Sequence, residues 1–288
     1  MKTKDWLAFI TLSLAWGSSF FWIKIAVQDI GPFMLVALRV LFGILGLLLV
    51  MLIRRPTRPS NWRAWRSLLI LGITNTALPF VLISWAEQYM DSAVAAILNS
   101  SVTVFIALFA HFVLPDDRLT RNRILGVLIG FAGVITLVGR DLASGVTVNL
   151  LAQGAMIVAV LFYAGSSIFA RINLKGLSPI VQALVPLISA DAFLWTLTPI
   201  VETPLRFPTL PLTWIALLWL GLIGSCTAYL LYYYLLHSVG PTRMAMVAYS
   251  FPVVGVFLGV LFLHEALDIY MISGAVLIVG SLYIVNRK

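Results

Sequence analysis

The feature that most constrains this chain is a succession of apolar stretches, each about 20 residues long, the length a helix needs to cross a bilayer's hydrocarbon core. They fall near 6–26, 33–53, 67–87, 92–114, 121–139, 149–170, 178–199, 212–235, 241–263 and 268–285. Charged residues make up 10% of the 288, against about a quarter in soluble domains, while 61% are hydrophobic. No soluble core could hide that much apolar surface, so lipid must solvate it. The expected fold is an all-α integral membrane protein with ten transmembrane helices. Lys2 and Lys4 before an apolar run have signal-peptide form, but the runs that follow make this an uncleaved first span.

Orientation follows from the positive charges, which collect on the cytoplasmic side. Lys2, Lys4, Arg54, Arg55, Arg58, Arg63, Arg66, Arg118, Arg121, Arg123, Arg171, Lys175, Arg243, Arg287 and Lys288 fall on one side of the implied bundle. Lys24, Arg140 and Arg206 fall on the other, and Arg39 lies within a span. The acids Asp29, Glu87, Asp91, Asp141, Glu202, Glu265 and Asp268 gather opposite the cations. Both termini are therefore expected in the cytoplasm of a multi-pass inner (plasma) membrane protein. The net charge of +8 is accounted for by topology, and no nucleic-acid partner is expected. Cys226 is the single cysteine, and no Cys/His cluster has metal-ligand spacing, so neither metal nor cofactor is expected.

Trp16-Gly17-Ser18-Ser19-Phe20, closing on Lys24, has an echo at Tyr163-Ala164-Gly165-Ser166-Ser167, closing on Arg171. Displacing the chain by about 148 residues also sets Leu71-Gly72-Ile73 against Leu220-Gly221-Leu222. It sets Asp117-Arg118-Leu119 against Glu265-Ala266-Leu267, and Gly126-Val127-Leu128 against Gly274-Ala275-Val276. The shared order implies duplication into halves 1–145 and 146–288. Each half holds five spans, an odd number, so the copies would enter the membrane from opposite sides. In transporters such inverted repeats place the substrate site near the midplane.

With these residues, the chain resembles the drug/metabolite transporter superfamily, in its ten-span EamA type. Arg39, Ser92-Ala93, Pro252-Val253 and His264-Glu265-Ala266-Leu267 also fit. The resemblance covers essentially the whole chain and implies a secondary transporter working by alternating access through a central cavity. Its aromatic content is most like bacterial exporters of aromatic amino acids. One departure is Ser101-Val102-Thr103 where family members often carry proline in the fourth span, while Pro79 stands in the third. The hinge positions are then Pro79 and Pro252.

Polar groups inside a membrane are costly, so they are the default candidates for function. Substrate contacts are expected from Trp16, Ser19, Asn75, Asn99, Tyr163, Ser166, Tyr232, Tyr249 and Ser250, with Tyr229 and Thr74 nearby in sequence. Each has an alternative: the Gly-Ser-Ser triplets can serve helix packing, Asn99-Ser100-Ser101 can bond a neighbouring helix, and Tyr233 and Tyr234 suit an interfacial belt. Gly126/Gly130 and Gly255/Gly259 read as packing seams. Lys24, Arg39 and Asp191 are the candidates for a charge or proton role. Lys24 and Arg39 could attract a carboxylate or snorkel. Asp191, the acid clearly inside a span, could carry protons or pair with Arg39. Glu87 and His111 lie nearer span ends and rank lower. With one clear intramembrane acid, uncoupled facilitated transport is the expectation.

No phosphate-cradling loop appears, so ATP is not expected to drive transport. An intramembrane enzyme would need a convergent nucleophile or acid/base set, and a channel would leave the inverted repeat without a use. The expected function is export of small amphipathic metabolites, chiefly amino acids, by a monomer in the lipid bilayer.

Overall fold

The computed structural model describes residues 2–54, 56, 59, 61–115, 120–144, 147–239, 244 and 246–286. Side chains of 140–144, 147, 148, 233, 236, 237, 246, 285 and 286 are outside that description. Arg55, Arg58, Asp117, Arg118, Leu119, Arg243, Arg287 and Lys288, and the side chains of Arg140, Asp141 and Tyr233, therefore lie outside the described residues.

Among the described residues, ten helical spans form one bundle. Eight are long and apolar enough to cross a membrane: Thr3–Ala26, Pro32–Arg54, Trp62–Ala86, Ser92–Val113, Arg121–Gly139, Asn149–Asn173, Pro179–Val201 and Pro211–Tyr232. Two shorter apolar helices, Val247–Leu263 and Ile269–Ile284, complete the set. These are called the first to tenth spans below. Helices are the economical answer to lipid, since every backbone amide finds its partner inside the segment. Leu49, Phe112, Ile135, Leu151 and Val253 face outward, as a lipid-solvated surface requires, while Leu12, Met34, Leu35, Ile97, Leu98 and Leu187 are buried between helices.

The second span packs on the seventh, the fourth on the ninth and the fifth on the tenth. The third lies on the sixth, and its counterpart is the first on the eighth. Likewise the second on the eighth is matched by the seventh on the third, and the first on the ninth by the sixth on the fourth. Exchanging the two halves maps this set of pairings onto itself. Small residues allow the closest approaches: a Cβ on Gly255 of the ninth span would run into Cβ of Ala96 on the fourth.

The helices are interrupted where small and hydroxylated residues gather. The first span breaks at Ser18 and the fourth at Ser101. The third widens into a π-helix at Ile73–Ala77, the eighth at Trp219–Thr227, and the ninth opens with a 3-10 turn at Met246–Tyr249. Side-chain hydroxyls compete for the carbonyls there. Ser225 Oγ and Thr227 Oγ1 donate to the carbonyls of Leu220 and Leu222, at 3.0 and 2.9 Å, five residues back and in step with the wider turn.

Both candidate hinge prolines stand where an irregular turn passes into α-helix. Pro79 enters directly after the π-turn, at the start of Leu78–Ala86. Pro252 lies in the first turn of Ser250–Leu263. The ninth span is already helical before this point, so Pro252 stands where the 3-10 turn at Met246–Tyr249 passes into α-helix. Pro186 and Pro199 are the prolines inside a helix, both in the seventh span.

At the end of the bundle away from the termini, here the distal end, acidic residues lock the connections together across the halves. Glu202 accepts from the amides of Phe33 (2.7 Å) and Met34 (3.1 Å), capping the second span. Glu265 accepts from Ser92 (2.7 Å) and Ala93 (3.0 Å), capping the fourth. Asp29 accepts from the amides of Thr209 and Leu210 and from the Thr209 hydroxyl. Free amides and the helix dipole make an N-terminus a natural seat for a carboxylate.

Candidate functional site

A buried cation marks the centre of the bundle. Arg39, 5% exposed on the second span, lays its guanidinium over the Phe80 ring at 4.0 Å from the centroid. Its Nε has no hydrogen-bond partner among the described residues. Tyr163 of the sixth span and Tyr229 of the eighth are within its electrostatic reach. The eighth span can come this close because Gly221 lacks a side chain: a Cβ there would sit 2.8 Å from the Arg39 carbonyl oxygen.

Aromatic rings wall the same region. Trp16 donates its Nε1–H to the Gly224 carbonyl at 3.1 Å, inside the eighth span's π-turn. Its ring centroid lies 5.7 Å from Tyr232, 6.2 Å from Tyr229 and 6.4 Å from Phe251. Towards the distal end, Trp219 donates to Ser18 Oγ at 3.0 Å and lies against Trp22, 5.7 Å between centroids. Edge and tilted ring contacts of this kind suit the π quadrupole and give a rigid apolar lining.

Arg39, Trp16, Tyr163, Tyr229 and Tyr232 are thus drawn together, although Tyr229 was singled out in sequence less firmly than Tyr232. Asn99 is buried on the fourth span with its Oδ1 unpartnered. Asn75 is half-buried within the third span's π-turn, and Tyr249 packs against Val104 and Leu282. The small hydroxyls are spent locally. Ser19 donates to the Ala15 carbonyl (3.0 Å), Ser250 to Val247 (2.6 Å), and Ser166 to Thr74 Oγ1 (3.0 Å), joining the sixth span to the third. Tyr234 donates to Asp5 near the terminal end, away from the centre.

Of the charged candidates, Lys24 is engaged with backbone: its Nζ donates to the carbonyls of Glu87 (2.7 Å) and Met90 (2.8 Å). Asp191 lies half-buried beside Trp195 with Oδ1 unpartnered, and no ion pair joins it to Arg39 among the described residues. The residue that sequence position undervalued is Glu87, which is fully buried with both carboxyl oxygens unpartnered. Nearness to a span end ranked it low in the sequence, where its burial is not legible. An apolar crevice of about 310 Å³, lined by Phe109, Phe112, Val113, Gly165, Ile168, Phe169 and Ile172, opens on the outer surface between the fourth and sixth spans. It offers no polar group to orient a solute. Among the described residues no group of acids, His or Cys could hold a metal.

The EamA-like transporter family model matches this chain twice, at residues 4–139 and 150–287. A protein named "Uncharacterized transporter YoaV" from Bacillus subtilis (strain 168) is 23% identical, over 97% of this chain and 96% of its own. An "Uncharacterized transporter" of Archaeoglobus fulgidus is 25% identical over 99% of each. The "Uncharacterized inner membrane transporter YedA" of Escherichia coli (strain K12) is 29% identical over 88% of this chain and 80% of its own. A solved crystal structure superposes with a TM-score of 0.71 at 20% identity, covering 99% of this chain and 98% of that one, a likeness of fold.

Proposed function

Because the chain belongs to the EamA-like transporter family, we propose that it is a secondary transporter that exports small amphipathic metabolites, with amino acids, aromatic ones included, as its substrate class. The observation that carries the substrate class is Arg39. A buried guanidinium that is hydrogen-bonded to no carboxylate among the described residues has donors to offer, and a carboxylate ligand matches their geometry. The unpartnered Asn99 oxygen could accept from an ammonium group, and Trp16, Tyr163, Tyr229 and Tyr232 could enclose an apolar side chain.

Two inverted five-helix repeats, 1–145 and 146–288, moving by alternating access, suit the family match to each half and pairings that survive exchange of the halves. The arginine-rich connections support cytoplasmic termini, and a relative named for the inner membrane supports that location. We infer a facilitative carrier whose direction follows the substrate gradient.

Exchange of radiolabelled amino acids in reconstituted vesicles tests the reading. Arg39→Gln is expected to weaken apparent affinity for amino acids about tenfold or more, a loss of about 1.4 kcal/mol. The same variant should lose the parent's preference for an amino acid over its amide. Full exchange in Arg39→Gln, with that preference unchanged, would rule out a carboxylate site at Arg39.

A further inference from the structure

Glu87 ends the third span with 0% exposure and no hydrogen-bond partner for either carboxyl oxygen among the described residues. Two cations act on it, and neither is hydrogen-bonded to its carboxyl among the described residues. Lys24 gives its ammonium to the carbonyls of Glu87 and Met90, closing the end of the third span, while Arg39 is stacked on Phe80. The third charged neighbour, Glu265, repels it and is committed to capping the fourth span. The second span carries no other charge between Pro32 and Ile53, and the sixth span has no Asp, Glu, His, Lys or Arg between Asn149 and Ala170.

Nor do the neighbouring hydroxyls answer the carboxyl. Ser84, one helical turn before Glu87, and Ser92, across the connection, are buried with unpartnered hydroxyls. An isolated carboxylate in such an interior does not persist; the group holds a proton instead. Glu265, which acts on Glu87, and the cross-half contacts of Glu202 and Asp29 lie at this same distal end. If the bundle works by alternating access, those contacts must part in the state open to the distal side, and Glu87 then meets water.

We propose that Glu87 is a proton-binding site that links opening of the distal end to release of its proton. On opening, the carboxyl O–H bond breaks, and its proton passes to water on the distal side. The carboxylate left behind can be paired by Lys24, whose ammonium needs only to exchange carbonyl oxygens for carboxylate ones. On closing, one proton from the same side returns. No proton crosses the membrane, so the device gates a facilitative carrier without driving it. The closed state binds one more proton than the open state, so it gains as pH falls. The ratio of open to closed rises with pH, by up to about tenfold per pH unit.

The consequence for transport rests on the proposed carrier function; the proton site is tested without substrate. Ser92→Cys in a Cys226→Ala background puts a thiol beside Glu265 that is reachable only when the distal end opens. Its maleimide labelling in detergent is measured between about pH 5 and about pH 8. Rates are normalised to Arg206→Cys, exposed at the same end, which removes the thiol's own pH dependence. Normalised labelling should climb with pH in the parent. It should stay low and flat in Glu87→Gln, which mimics the protonated group, and keep a pH dependence with a displaced midpoint in Glu87→Asp. A parent-like profile in Glu87→Gln, or a flat profile in either the parent or Glu87→Asp, overturns the proposal. Loss of amino acid exchange with this profile intact rejects the substrate reading alone; a flat profile with exchange intact rejects the proton site alone.

Discussion

At Trp16, one side chain serves both the fold and the candidate site. Its indole N–H is fixed to the Gly224 carbonyl while its ring meets Tyr229, Tyr232 and Phe251. Trp16→Phe keeps an aromatic surface and deletes the hydrogen bond, leaving a π-turn carbonyl to be satisfied otherwise. A lost neutral hydrogen bond costs about 0.5–1.5 kcal/mol, so the thermal midpoint should fall by a few degrees in detergent. Transport should fall further than stability alone accounts for, because the indole also sets the position of the wall facing Arg39. Equal exchange rates in Trp16→Phe and the parent would make this contact a packing feature only. Asn99 separates differently: with its oxygen unpartnered, Asn99→Ala should cost little stability and still slow exchange. Thermal melts and exchange assays on the same preparation decide between these outcomes.

At the scale of elements, the span count, the short connections and the contrast between lipid-facing and buried faces were legible in the sequence, because a bilayer leaves so few alternatives. The irregular turns were legible only as composition. Asn75, Ser101 and the Gly221–Thr227 segment stand out as polar or small residues in apolar helices, but whether they break, widen or merely decorate a helix depends on the neighbouring spans. The complete burial of Glu87 was hidden for a related reason, since distance from the end of a span is read along one helix while burial depends on its neighbours. The prolines drew attention as hinges, and each stands just after an irregular turn of its span. The eighth span's π-turn, pressed onto Arg39 through Gly221, is the more consequential irregularity. Gly221→Ala should therefore impair folding or exchange strongly, since its Cβ would meet the Arg39 carbonyl and the Phe42 side chain. Pro252→Ala should be mild in both. Exchange rates relative to folded protein test the ordering, and a Pro252→Ala variant slower than Gly221→Ala would restore the proline as the hinge.

Over the whole molecule, the distal end is held by several carboxylate contacts, and pH can single out the one made by Asp29. Desolvation would raise the Asp29 carboxyl, but the Thr209 hydroxyl and the amides of Leu210 and Thr209 outweigh it and hold the group at about 2, below its ordinary 3.8. A depressed carboxyl contributes stability above its unfolded value and loses it as pH falls through the folded one. The Asp29 link is therefore fully formed everywhere above about pH 4. Asp29→Asn should lower the thermal midpoint by an amount that is constant from about pH 8 to about pH 5, and that shrinks only towards about pH 2. Glu202→Gln, which weakens a charge-assisted pair of amide contacts, should lower the midpoint by the equivalent of about 1–3 kcal/mol. Asp29 in the 27–31 connection and the start of the second span just after it are both tied to the 202–210 connection, by Asp29 and Glu202 respectively, so their effects should be less than additive in the double variant. Melts of the four proteins across that pH range supply the check. A difference between Asp29→Asn and its parent that grows between about pH 5 and about pH 8 would mean that Asp29 does not hold the latch described here. A constant difference would leave any pH dependence of distal opening in that range to a group other than Asp29, with buried Glu87 the one so placed.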